Sequence, residues 1–306
     1  MPERVEFQSK GLTVVGHLYV PPAGAPDRKR AGIVVGHPMG GIKEQTAGLH
    51  AQLLADAGFV TLTWDAAYQG ESAGEPRGLE DPGQRAEDVR SAVSYLSTRS
   101  EVDPARIGGL GICASGGYVP FAAQTDLRIK AVATVSAADT GSFFRDGMKN
   151  TAFEMDRAAL DKALEASSAA RAAEANGEPT AMQPLVPDSP EGLPDSIPTM
   201  MREGAEYYRT PRAQHPRSTN RYPTRSIDLL VNYDSYAFNY LISPRPLLMI
   251  AGSDADTLYF SQDGIERAKE PKELYLVPGM SHIALYDNVD GHLLKLVNFM
   301  STSLCA

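Results

Sequence analysis

The chain has 306 residues, of which 42% are hydrophobic and 22% are charged, and its formal net charge is −9. This composition is typical of a globular protein with one large domain or with a core and an inserted subdomain. The negative charge excludes nucleic acid as the partner, because phosphate backbones are bound by surfaces rich in lysine and arginine.

The N-terminus lacks the apolar segment of a secretory signal, and no stretch approaches 18 uninterrupted apolar residues. We therefore expect a cytoplasmic protein that does not bind membranes. The two cysteines, Cys113 and Cys305, lie far apart in sequence. A reducing compartment favours free thiols over a disulfide.

The first half of the chain alternates short apolar runs with segments of helical periodicity. An N-terminal hairpin is predicted from the runs near 5–8 and over 12–21. Further strands are predicted at 31–36, 59–65, 106–113 and 129–137. Helices are predicted between them: one with Leu49, Leu53 and Leu54 on one face, one that begins at Asp81 and Pro82, and one over 114–124. This alternation predicts a mostly parallel sheet covered by helices on both faces.

The alternation stops over residues 141–242, which hold Ala-rich and proline-rich stretches. A segment of this length is too long for a loop in a compact domain. We expect a helical cap inserted between two parts of one core, residues 1–140 and 243–306. Helices are predicted in the cap at 150–176, 198–208 and 225–241. The core then resumes with strand 246–251, helix 261–269, strand 273–277 and a final helix from about Val289 to Met300.

A candidate nucleophile lies where strand 106–113 meets the next helix. The segment Gly111-Ile-Cys113-Ala-Ser115 has small residues two positions before and after Cys113. This is the pattern of a nucleophile elbow, a turn so sharp that only small flanking residues fit. The helix N-terminus is expected to lower the pKa of the thiol. In a rival register Ser115 is the nucleophile, but this would extend the strand through Cys113.

An activated thiol needs a base, and that base needs a group that orients it. His282 follows strand 273–277 through a Pro-Gly turn and is the predicted base. The acid is expected after strand 246–251, where Asp254 and Asp256 are both candidates. Spacing does not separate the two aspartates. His292 is predicted to lie on the surface.

An oxyanion hole is expected from two backbone N–H groups near the nucleophile. Ala114 directly follows Cys113, and the loop after strand 31–36 supplies a second donor. Pro38 has no N–H, so Met39 is the predicted donor, with Gly40 as the alternate. His37 is expected to brace this loop, although a catalytic role is left open.

Together these segments resemble the α/β-hydrolase superfamily over nearly the whole chain. The elbow is similar to the Gly-x-Cys-x-Gly-Gly motif of dienelactone hydrolase, with Ser115 at the first closing glycine. A larger group of bacterial dienelactone-hydrolase-like proteins and fungal polyketide acyltransferases or thiohydrolases resembles the chain more closely. The matching stretches are residues 36–45, 64–72, 111–117 and 251–257.

The resemblance implies an α/β-hydrolase fold with an inserted helical cap, and it favours Asp256 as the acid. It implies an enzyme that cleaves an ester, thioester or lactone through an acyl-cysteine, or transfers the acyl group to an alcohol or amine. A ligand-binding protein without a reaction is the alternative of another class. The cap is expected to contact the substrate through His215, Tyr207 and Tyr236. Other side chains expected to roof the site are Met200, Met201, Tyr208 and Phe238. The sequence indicates no cofactor or metal, and it leaves an acyl carrier and a homodimer open as partners.

Overall fold

Ten strands are present in the computed structural model, which describes residues 2–306. In chain order they are β1 (Glu3–Ser9), β2 (Leu12–Tyr19), β3 (Gly32–Gly36), β4 (Val60–Trp64), β5 (Ile107–Ile112), β6 (Ile129–Val135), β7 (Met182–Pro184), β8 (Arg221–Pro223), β9 (Leu247–Gly252) and β10 (Lys272–Val277). Eight of them form one sheet in the order β1-β2-β4-β3-β5-β6-β9-β10. Strands β1, β2 and β4 pair antiparallel and all other neighbours pair parallel, which confirms the predicted mostly parallel sheet.

Nine α-helices are formed by the described residues. They are α1 (Thr46–Asp56), α2 (Pro82–Ser97), α3 (Ser115–Thr125), α4 (Thr140–Asp146), α5 (Arg157–Ala175), α6 (Thr199–Arg209), α7 (Ser226–Val231), α8 (Leu258–Glu266) and α9 (Leu293–Leu304). Helices α2 and α3 cover one face of the sheet, and α1 and α9 cover the other. The central strands are therefore buried on both sides, which explains their continuous apolar runs.

Residues between β6 and β9 lie outside the large sheet. They hold helices α4 to α7, and β7 and β8 pair antiparallel as a separate short ribbon. These two strands were not predicted, because each is only three residues long and too short for a recognisable alternation. Helix 225–241 was predicted as one segment, but α7 ends at Val231 and a single 3₁₀ turn follows at Asn239–Leu241.

The carboxyl ends of β3, β5, β9 and β10 meet at one edge of the sheet, since these strands run parallel. The loops that follow them carry all of the predicted catalytic residues. Ligands of open α/β sheets bind at this edge. The topology thus brings together residues that are up to 245 positions apart, from His37 to His282.

Candidate active site

The turn between β5 and α3 holds Cys113 in a left-handed conformation, with φ of 53°. Its N–H donates to the Val135 carbonyl at 3.1 Å, and its own carbonyl accepts from Gly116 and Ala138 at 2.7 and 2.9 Å. A Cβ at Gly111 would lie 2.0 Å from the carbonyl oxygen of Ser115. The small residue before the nucleophile is therefore required by contact between backbones.

Ser115 does not face the same way as Cys113. Its hydroxyl donates to the His37 carbonyl at 2.6 Å and accepts from Arg85 at 3.2 Å. A Cβ at Gly36 would lie 2.7 Å from this hydroxyl oxygen, so the glycine makes room for the serine. The buried hydroxyl is hydrogen-bonded to the loop after β3, so the alternative register with Ser115 as the nucleophile does not fit this geometry.

Cys113 opens onto a pocket between the sheet edge and the cap, which we call the Cys113 pocket. It contains about 550 Å³ of space free of protein atoms, part of it open to solvent. The lining is almost wholly apolar and includes Met39, Ala114, Phe143, Phe144, Leu185, Val186, Met200, Met201, Tyr208, Ile283 and Tyr286. No Asp, Glu, Lys or Arg is among its lining residues in the described part of the chain.

Both predicted oxyanion donors border this pocket. Ala114 and Met39 line it together with Cys113, and the N–H of Ala114 contacts the thiol. Neither N–H donates to a main-chain carbonyl within residues 2–306. The alternate donor, Gly40, lines a neighbouring cavity instead, and its carbonyl accepts from Ser218 at 2.7 Å. Met39 and Ala114, but not Gly40, therefore line the same pocket as Cys113.

His37 is fully enclosed under the loop after β3. Its Nδ1 lies 2.6 Å from the Pro38 carbonyl, and its Nε2 accepts from the Ala66 N–H at 3.0 Å. Arg85 donates to the His37 carbonyl at 2.7 Å. Burial and the nearby Arg85 guanidinium hold the pKa of His37 well below its usual range. These contacts are those of a loop brace, and they leave no ring nitrogen facing the pocket.

His282 is completely buried beside the pocket. Its Nδ1 lies 2.6 Å from the hydroxyl of Thr257, and its Nε2 lies 3.3 Å from the hydroxyl of Tyr286. Ser136 fixes the loop by donating to the His282 carbonyl at 2.7 Å. The Tyr286 hydroxyl also contacts the Cys113 thiol. No hydrogen bond joins His282 directly to Cys113 in the described structure, so Tyr286 lies between the two groups.

Neither predicted acid bonds to His282. Asp254 is exposed and its carboxylate accepts from Ser253 at 2.7 Å. Asp256 accepts from the N–H of Met200 at 2.9 Å and so caps the N-terminus of α6. Its Oδ1 is buried without a partner among the described residues. The ring nitrogen expected to face an aspartate is occupied by Thr257, the residue that directly follows Asp256.

Burial governs the protonation of the two central groups. It raises the pKa of the Cys113 thiol, and contacts with Tyr286 and the Ala114 N–H oppose this only in part. Burial also lowers the pKa of His282 to about 3. The resting site therefore holds a neutral thiol and a neutral imidazole. The expectation that the helix N-terminus lowers the thiol pKa was wrong in direction, because desolvation outweighs the helix end here.

Tyr207, Tyr236 and His215, which were expected to contact substrate, do not line the Cys113 pocket. Tyr207 packs edge-on against Tyr286 behind the pocket, with ring centroids 5.2 Å apart. Tyr236 is fully buried in the core and donates to the Gly116 carbonyl at 3.2 Å. His215 lines a polar surface cavity without Cys113. Three other expected roof residues, Met200, Met201 and Tyr208 of α6, do line the Cys113 pocket. Phe143 and Phe144 of α4 and the segment after β7, through Leu185 and Val186, complete its cap side.

Three residues that contribute to the site were missed in the sequence. Tyr286 lies four positions after His282, a spacing that puts both side chains on one side of a helical turn. Arg85 occupies the buried face of α2, four residues before Val89, where an arginine is unexpected. Nothing in the sequence indicated Thr257 as the partner of His282, because two aspartates, the usual partners of a catalytic histidine, lie close by.

Comparison with known proteins identifies the family. A family model described as "Dienelactone hydrolase family" matches residues 16–139. The uncharacterized protein YcjY of Escherichia coli (strain K12) is 42% identical over 291 residues, which cover 94% of this chain and 93% of that protein. The chain belongs to the dienelactone hydrolase family.

Solved structures of two relatives have the same architecture as this chain. The crystal structure of protein PA2218 from Pseudomonas aeruginosa matches with a TM-score of 0.91 and 35% identity, covering 99% of this chain and 94% of that one. The polyketide transferase grgF of Penicillium sp. is 26% identical over 261 residues, or 82% of this chain and 80% of that protein. Its crystal structure, described as an α/β hydrolase, matches with a TM-score of 0.81 and covers 100% of both chains. The α/β-hydrolase fold is confirmed, in a family of hydrolases and acyltransferases.

The described residues form neither a metal site nor a membrane-spanning helix. No group of three or more His, Cys, Asp or Glu side chains is arranged to hold a metal ion within residues 2–306. Across the same residues, no helix combines the length and the apolar character needed to cross a bilayer. Both cysteines are free thiols, and the Cys305 Sγ lies 3.2 Å from the Arg28 carbonyl.

We expect alkylation of Cys113 by iodoacetamide to accelerate only above pH ~8.5, the ordinary thiol value. Burial raises the pKa of this thiol, so little thiolate exists near neutrality. The rate is measured by mass spectrometry across pH in a Cys305→Ala background, which leaves one reporting thiol. A rate that has already reached its plateau at pH 6–7 would show a thiolate at rest and contradict this protonation state.

Proposed function

We propose that the protein is an acyl-transfer enzyme that forms an acyl-cysteine at Cys113 and releases the acyl group by hydrolysis. The observation that carries this proposal is the placement of Cys113 at a left-handed turn, open to an apolar pocket that Met39 and Ala114 also line. The N–H groups of these two residues have no main-chain acceptor within residues 2–306. An inert structural cysteine requires neither the turn nor the donors.

The reaction begins when the Cys113 sulfur attacks the carbonyl carbon of an ester, thioester or lactone. The thiol proton passes to the neutral His282 as the C–S bond forms, and Met39 and Ala114 donate to the oxyanion. The bond to the leaving alcohol or thiol then breaks, and that group takes the proton from His282. Water, activated by His282, hydrolyses the acyl-cysteine and regenerates the thiol.

Tyr286 provides the path for this proton. Its hydroxyl contacts the thiol and lies 3.3 Å from Nε2 of His282. The hydroxyl can accept the thiol proton while it gives its own proton to the imidazole. Thr257 then accepts from Nδ1–H and fixes the tautomer in which Nε2 is free to act as the base.

The substrate is expected to carry an uncharged acyl group. The Cys113 pocket has no lysine or arginine among its lining residues within the described chain, so a carboxylate there would lose its hydration without a partner. Esters and thioesters of apolar acids fit this lining. Transfer to an alcohol or amine is a second candidate, favoured by the similarity to the polyketide transferase grgF.

Replacing Cys113 by alanine is expected to reduce kcat/KM for acyl thioesters by at least ~1000-fold, since no covalent intermediate can form. The matched control is Cys305→Ala, which removes the other free thiol, a residue that does not line the Cys113 pocket, and is expected to leave turnover intact. Steady-state thiol release from a panel of acyl thioesters provides the measurement. Equal activity of the Cys113 variant and the wild type would refute the acyl-cysteine. Substrate binding without turnover in the wild type would instead support a non-catalytic ligand-binding protein.

Replacing Thr257 by valine is expected to lower kcat on the order of tenfold to a hundredfold, a part of what a positioned general base supplies. Thr257→Ser keeps the hydroxyl and is expected to restore most of the activity. Asp256→Asn keeps an oxygen that can cap α6 and is expected to change kcat by less than about threefold.

The same kinetic comparison decides between a hydroxyl and a carboxylate as the partner of His282. A large loss in Asp256→Asn with little loss in Thr257→Val would show that the aspartate turns to the imidazole during turnover. The sequence-based assignment of Asp256 as the acid would then hold, and the role of Thr257 would be overturned.

A further inference from the structure

Two aromatic side chains of α4, Phe143 and Phe144, border two cavities at once. On one side they line the Cys113 pocket. On the other they line a second cavity of about 850 Å³, part of it open to solvent, with Ala152, Phe153, Met155, Ala163, Tyr222 and Ile227. The two rings lie 5.3 Å apart between centroids, nearly edge to face. We call this pair the aromatic wall.

The start of α4 is fixed, so the aromatic wall has a defined position. Asp139 caps the helix through the Gly141 N–H at 3.1 Å and also accepts from the Ser235 hydroxyl at 2.7 Å. A Cβ at Gly141 would lie 1.8 Å from the Tyr233 carbonyl, which shows how closely the backbones approach. The Phe144 ring also meets Tyr222 edge-on at 5.7 Å. Phe143 and Phe144 are the two residues that line both cavities.

The second cavity leaves apolar surface without a protein partner. Phe153 is 41% exposed, although it sits in a concave site among other apolar side chains. Exposed apolar groups gathered in a cavity are typical of a site that a ligand covers. The lining holds no Lys or Arg among the described residues, and Glu154 is its one charged side chain there. An anionic ligand is therefore disfavoured, and an apolar chain fits.

We propose that the second cavity binds the distal part of a long apolar acyl chain, which passes the aromatic wall from the Cys113 pocket. This proposal rests on the proposed function, since the acyl carbonyl must lie at Cys113. It names the substrate class as esters or thioesters of medium to long unbranched acids. A short acyl group fills the Cys113 pocket alone and does not reach the second cavity.

The test measures binding rather than turnover. Butanoyl and dodecanoyl thioesters of N-acetylcysteamine are titrated into the Cys113→Ala protein by calorimetry, and then into the same protein with Phe153→Ala or Phe144→Trp added. We expect Phe153→Ala to weaken dodecanoyl binding by about tenfold relative to butanoyl, through lost apolar contact. Phe144→Trp enlarges a side chain of the aromatic wall and is expected to lower the same ratio at least as much.

Phe238→Ala is the matched control, because Phe238 is 51% exposed and lines neither cavity. It is expected to leave the dodecanoyl-to-butanoyl ratio unchanged. Equal weakening of both ligands by the Phe153 and Phe144 variants, or no effect on either, overturns the proposal. Kinetics separate this outcome from failure of the proposed function: a wild-type protein that binds both thioesters but cleaves neither lacks the reaction, while its binding ratio still tests the second cavity.

Discussion

The left-handed turn at Cys113 is the constraint on which the site depends. A non-glycine residue in this conformation costs about 1–3 kcal/mol and persists only where the surroundings hold it. Here three hydrogen bonds hold the turn. The Cys113 N–H donates to the Val135 carbonyl, and the Cys113 carbonyl accepts from the N–H groups of Gly116 and Ala138. The turn directs the sulfur into the pocket and leaves the next N–H, that of Ala114, without a main-chain partner. One backbone geometry thus presents both the proposed nucleophile and one proposed oxyanion donor.

Desolvation sets the chemistry of this site. Burial raises the pKa of the thiol and lowers that of His282 to about 3, so both groups are neutral before substrate binds. In the proposed reaction, charge develops only when the sulfur attacks, and it develops in an apolar enclosure where backbone dipoles act strongly. A base with so low a pKa is weak. A hydroxyl also stabilises the positive charge of an imidazolium less than a carboxylate does. This arrangement suits activated acyl groups such as thioesters better than amides.

Much of the core was predictable because each central strand is buried on both faces, which leaves a continuous apolar run in the sequence. The elbow was also predictable, since contact between Gly111 and Ser115 permits only small residues there. The partner of His282 was not predictable, because Thr257 and Asp256 are adjacent in sequence and only the loop conformation decides which of them faces the ring. His292 was wrongly expected on the surface: it is buried, with its Nε2 3.0 Å from Nε2 of His50 on α1. The contribution of α4 to the pocket, through Phe143 and Phe144, depends on how that helix sits on the sheet edge, which periodicity does not encode.

The central claim is that the acyl group is carried by the sulfur of Cys113. The most direct measurement is rapid quenching with acid during turnover of an acyl thioester, followed by proteolysis and tandem mass spectrometry. We predict that the added mass corresponds to the acyl group and maps to Cys113 in the peptide that spans the turn. An acyl group found on Ser115 or on another residue, or a wild-type protein that turns over substrate without any adduct under conditions that slow deacylation, would contradict it.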